Sequence, residues 1–95
     1  MTDSDSSDST ETVRAWLVER SYDDRNLITL VYATPDGTRA LRKEQSATVM
    51  HQQGSRVTAA VDVAPDALSP VDDDRERYAA EADRMREQHA PDDEV

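Results

Sequence analysis

The apolar positions fall into runs of two kinds. Val13, Trp16, Leu17, Val18 and Tyr22 mark residues 13–22 as rich in β-forming side chains. Tyr22-Asp23-Asp24-Arg25-Asn26 then breaks the run. Leu27 to Thr34 (LITLVYAT) is apolar apart from its two threonines, as a central strand covered on both faces would be. Pro35-Asp36-Gly37 follows. Proline presets φ for the first corner of a turn and glycine takes a left-handed position after it, so the triplet predicts a hairpin returning along 38–45. In residues 57–63 (VTAAVDV), Val57, Ala59, Val61 and Val63 alternate with Thr58, Ala60 and Asp62, which predicts a fourth strand. Residues 46–53 (SATVMHQQ) fit either a short helix or an irregular strand.

Near the C-terminal end the period changes. Val71, Tyr78, Ala82, Met85 and His89 fall on one stripe of a helix. Ser69 reads as its N-cap and Pro70 as its first residue, with Asp72, Asp73, Asp74 and Glu76 at the positive end of the dipole. Pro91 stops it. The predicted fold is α+β: a three- to four-stranded, mainly antiparallel sheet over 12–63 with a helix of about 70–89 packed on one face. A three-residue loop at 35–37 would set Tyr32 against Ala40 and Val31 against Leu41. Pairing Trp16 with Tyr32 would then gather Trp16, Val18, Ile28, Leu30, Tyr32 and Ala40 on the helix side. A slip of one residue would exchange the faces.

Composition sets the ends of this domain. Residues 1–10 (MTDSDSSDST) are a Ser/Asp/Thr segment whose one apolar residue is Met1, so 1–11 is expected to be a disordered acidic tail. Residues 90–95, ending PDDEV, are expected to fray likewise, leaving 12–89 as a single small domain. The 95 residues carry 21 acidic and 11 basic groups, a formal charge of −10, and Lys43 is the sole lysine. Residues 12–58 hold seven basic and five acidic groups; residues 59–95 hold four and twelve. A slightly basic body thus lies between acidic ends. Such an acid-rich, lysine-poor chain without phenylalanine suits molar salt, which screens self-repulsion. An ordinary acidic protein with disordered ends is the plainer alternative.

Chemistry is sparse. There is no cysteine, hence no disulfide and no thiolate nucleophile or ligand. The two histidines, His51 and His89, have no triad or metal-ligand spacing, and the two glycines cannot form a phosphate-cradling loop. Asp72-Asp73-Asp74 would point three ways on a helix and not converge on one ion. No catalytic residue, cofactor or metal is therefore assigned, and the expectation is a non-enzymatic protein-interaction or regulatory module. The opening residues lack the basic and apolar regions of a secretory signal, and no run is long enough to span a membrane, so a cytoplasmic location is expected. What remains is a surface. Leu17, Val31 and Leu41, with Arg39 and Lys43 beside them, form the second sheet face and the candidate partner surface, open to a protein partner or a second copy of the chain. The alternative is a nucleic-acid-binding adaptor that uses the basic strand around residues 39–43, with Trp16 and Tyr32 as stacking rings.

The segments VRAWLVERSY, NLITLVYATPDGTRALRKE, VTAAVDVAPDALSPVDD and RERYAAEADRM together resemble a family of short acidic proteins from halophilic archaea that has no assigned function. The resemblance spans most of residues 12–89. It implies a halophilic, cytoplasmic setting and transfers no functional residue.

Overall fold

The computed structural model describes residues 11–54 and 56–95. The expected acidic tail at 1–10 lies outside the described residues. The elements are β1 (Val13–Tyr22), β2 (Leu27–Ala33), β3 (Arg39–Ser46), α1 (Ala47–Gln53), β4 (Ala60–Val63), β5 (Ser69–Pro70) and α2 (Arg75–Gln88), with a 3₁₀ turn at Pro65–Ala67. The fold is α+β. The sheet is antiparallel, in the order β4-β1-β2-β3-β5. Among the described residues it has five strands, where the sequence pattern suggests three or four.

The extra strand comes from residues assigned above to a helix start. Ser69 and Pro70 are extended and pair with Ala40 and Arg39 of β3, and Val71 N–H donates to the Thr38 carbonyl at 2.9 Å. Proline is tolerated there because an edge strand leaves its missing N–H unused. The helix begins later, at Arg75, after Asp74. Tyr78, Ala82 and Met85 do form its sheet-facing stripe. Residues 46–53 resolve into α1, with the Ser46 hydroxyl accepting from Val49 N–H and Gly54 closing the helix at φ +67°.

Both hairpins differ from the expected register by one residue. Thr34 N–H donates to the Arg39 carbonyl and Gly37 N–H to the Thr34 carbonyl, so the loop is 35–38, four residues long. Tyr32 therefore meets Leu41, and Val31 meets Arg42. In the first hairpin Trp16 meets Ala33 and Leu17 meets Tyr32, after which a bulge at Val18 brings Glu19 opposite Val31. Because side chains alternate faces along a strand, these offsets re-sort the core. Under α2 lie Trp16, Val18, Val31 and Ala33, with Ala59, Ala60 and Ala82. The opposite face carries Ala15, Leu17, Leu30 and Tyr32, capped by Leu68 and flanked by Ile28, Leu41 and Val61. The helix-side layer is mostly alanine around one tryptophan, which lets α2 approach the sheet closely.

The end of the chain is laid against the sheet. Ala59 and Ala60 N–H donate to the carbonyls of Asp93 and Pro91, and Val95 N–H donates to the Val57 carbonyl at 2.9 Å. Arg20 donates to the Val95 carbonyl oxygen at 3.0 Å, and the Val95 side chain packs against both apolar clusters. Composition alone makes PDDEV a fraying end; the structure gives its backbone partners in residues 57–60.

Candidate functional site

The outer edge of β3 is only partly covered. Its inner edge pairs with β2 along its whole length, Ala33–Ala40 to Leu27–Ser46. The Arg39 carbonyl points at β2 and the Thr38 carbonyl points away, toward Val71. Strand alternation then aims the N–H and C=O groups of Arg42 and Glu44 away from β2. The outer pairing with β5 covers only Arg39 and Ala40. From Leu41 to Ser46 the edge has no strand partner among the described residues. The side chains along it alternate too. Ala40, Arg42 and Glu44 project on the α2 side, and Arg42 pairs with Glu44 at 3.4 Å in an exposed bridge. Arg39, Leu41, Lys43 and Gln45 project on the other side.

The structure divides the five residues of the candidate partner surface. Leu17, Arg39, Leu41 and Lys43 share the face opposite α2. Val31 does not: it is buried beneath α2 in the Trp16 cluster. Leu17 is buried, Leu41 half-buried and Lys43 exposed. The Arg39 guanidinium donates to the Pro65 carbonyl, tying the 3₁₀ turn to β3 and placing Leu68 over one end of this face. Trp16 (4% exposed) and Tyr32 (3%) lie in the two opposite apolar layers, so they do not form a joint ring platform for bases.

At the other end of the same face, between β2–β3 and residues 56–58, lies a cleft of about 270 Å³. Leu30, Tyr32, Val57 and Val61 make its floor, and Met50 of α1 makes one wall. Lys43, Gln45 and Arg56 supply its polar groups. Burial holds the Tyr32 phenol above the ordinary tyrosine range, offset in part by the charge of Arg20. Arg56 lies 3.8 Å from Glu94 in an exposed contact. Lys43 has no carboxylate within salt-bridge distance among the described residues. Of this cleft, strand alternation makes Lys43 and Gln45 legible in the sequence. Met50 is placed by α1 and Arg56 by the chain beyond Gly54, and no sequence spacing signals either.

Other polar groups have structural duties. A groove of about 360 Å³ between β3, β5 and α2 is floored by Val31, Ala40 and Tyr78 and rimmed by Asp72, Asp73 and Asp74 together with Arg42. The three aspartates precede α2 and do not lie in its first turn. The Asp36 carboxylate accepts from the Thr34 hydroxyl (2.6 Å), the Thr38 hydroxyl (2.8 Å) and the Thr38 N–H (3.0 Å). These bonds, the Thr34 hydroxyl's first, hold its pKa below the usual carboxylate range. Asp62 is likewise lowered by its hydrogen bond to Arg14, an exposed pair across β1 and β4. His51 is exposed on α1. His89 caps α2, its Nδ1 3.8 Å from Asp93. Among the described residues no helix is long and apolar enough to cross a membrane.

Residues 9–95 match the model of DUF7967, a family of unknown function, and the chain belongs to that family. No curated protein and no solved structure matches it.

Proposed function

We propose that this member of a family without an assigned function is a non-enzymatic protein-interaction module that accepts an extended segment of a protein partner along β3. One observation carries the reading: the outward N–H and C=O groups of Arg42 and Glu44 stand on an edge that β5 covers only at Arg39 and Ala40. Such an edge is a template for strand addition, with main-chain bonds giving affinity and alternate side chains giving selectivity. Arg42 and Lys43, on opposite faces of the edge, favour carboxylates on the incoming segment. The acidic surface, poor in lysine and free of phenylalanine, fits a halophilic archaeal cytoplasm, where such contacts form in molar salt.

Proline at position 44 removes one outward donor and leaves every β2 ladder bond in place. Glu44→Ala keeps that donor and removes the charge. Partner recovery from a lysate of the source organism in molar KCl is expected to persist with Glu44→Ala and to fall about tenfold or more with Glu44→Pro. Equal recovery with both variants would refute strand addition, as would equal loss. Recovery of nuclease-sensitive nucleic acid in place of protein would favour the adaptor reading, for which Arg39, Arg42 and Lys43 supply charge but on two different faces.

A further inference from the structure

We propose that the cleft beside β3 binds a small organic anion: a carboxylate or phosphate head held by Lys43 and Arg56, and a short apolar body lying on Leu30, Tyr32, Val57 and Val61. The inference does not rest on strand addition, which stands on the outward backbone groups of Arg42 and Glu44; the two readings share only the Lys43 side chain.

In a chain with 21 acidic groups against 11 basic ones, a concavity is expected to contain carboxylates. Three of the molecule's hollows do. The groove beside α2 has Asp72, Asp73 and Asp74; the hollow at Arg14 has Asp62 and Asp92; the one at Arg20 has Glu19 and Glu81. The cleft at Lys43 is lined by two cations and no acid among the described residues. Lys43 has no ion-pair partner there, and Arg56 has only the loose, exposed contact with Glu94. Two like charges facing one hollow repel each other, and an anion between them turns that repulsion into attraction.

The cleft's second property is its floor. Leu30 and Tyr32 are almost fully buried, and Val57, Val61 and Met50 are half-buried around them. Most of the accessible lining is polar, from Lys43, Gln45, Arg56 and Thr58, and the apolar patch beneath is the smaller part, so the charged head takes the larger share of the contacts and the apolar body is short. The cleft's volume, about 270 Å³, is slightly below the roughly 300 Å³ at which drug-sized pockets begin. The occupant is therefore of metabolite size. Gln45, on the same side of β3 as Lys43, adds an amide donor that orients the head.

The test is a ¹H–¹⁵N NMR titration with three probes sharing one apolar body: hexanoate, hexyl phosphate and neutral hexanamide. It is run at the lowest KCl concentration that keeps the protein folded. At least one anion is expected to give saturable shifts at Leu30, Tyr32, Val57 and Val61, and hexanamide to bind at least about tenfold more weakly. Which anion binds more tightly identifies the head group. Lys43→Met and Arg56→Met, both at exposed positions, should each weaken that anion about tenfold. Absence of saturable shifts with both anions overturns the proposal. So does hexanamide binding as well as the anions, or unchanged affinity in both variants.

Discussion

Gly37 shows how much one residue can carry. Its φ of +75° favours glycine, and a Cβ there would stand 2.2 Å from the Arg75 carbonyl oxygen and 2.7 Å from the Ala79 nitrogen. The hairpin turn is thus pressed against the first turns of α2 through a position with no side chain. Gly54 has nearly the same φ, +67°, but a Cβ at that position would meet nothing within 4 Å. Gly37→Ala should cost about 2–4 kcal/mol, since backbone strain and overpacking add. Gly54→Ala should cost about 1 kcal/mol, from strain alone. Urea denaturation of both variants measures the difference, and equal losses would mean that the turn does not bear on α2. Asp36, one residue earlier, adds a pH dependence. Its folded pKa is depressed by the bonds from Thr34 and Thr38. Its stabilisation is therefore full above the unfolded value of about 3.9 and is lost as pH falls through the lower folded value. Asp36→Asn should be less stable than the parent at neutral pH, and the gap should narrow below about pH 4. A gap that stays constant through acid titration would rule out the charged form as the source. The Pro35-Asp36-Gly37 triplet makes the turn legible in the sequence. The contact of Gly37 with α2 is not legible, because it joins positions far apart in the chain.

At the scale of elements, alternation and helical period identify β1, β2, β3 and the stripe of Tyr78, Ala82 and Met85 correctly. They misplace the segment 69–74. Ser69-Pro70 followed by acidic residues is a sound helix-start pattern locally, yet β3 offers it an edge, and Leu68 beside it fills the open face of the sheet. Leu68 is 8% exposed and packs with Leu30 and Tyr32. Leu68→Ala should cost about 2–4 kcal/mol through cavity formation and should loosen β5, read as faster amide exchange at Val71, whose N–H reaches Thr38. Unchanged exchange at Val71 would uncouple β5 from that anchor. The helix at residues 47–53 rests on a cap: Ser46→Ala removes the hydroxyl that accepts from Val49 and should cost about 1 kcal/mol by denaturant titration. A neutral result would show that packing of Met50, and not capping, holds α1.

Across the whole molecule, charge and topology act separately. Repulsion among the 21 acidic groups opposes the compact state, and the Debye length falls to about 3 Å at 1 M salt. Molar KCl is accordingly expected to raise the Tm by about 10 °C or more, beyond the salting-out shift of a non-halophilic protein of similar size. Equal shifts for the two would remove the halophilic reading. Most of the salt bridges are exposed and add little to that balance. The α+β class, the position of the hairpins, the helix face and the acidic surface are all readable from the chain, because they follow from local periodicity, turn chemistry and composition. Which apolar residues share a face emerges only once the strands are paired. That depended on one extra residue in the Pro35–Thr38 loop and one at the Val18 bulge, and a strand reverses all its faces for a shift of one. The same shift moved Val31 under α2, away from Leu17, Leu41 and Lys43. Only the three-dimensional fold brought Arg56 and Met50 to Lys43, since contacts between distant residues leave no spacing in the chain.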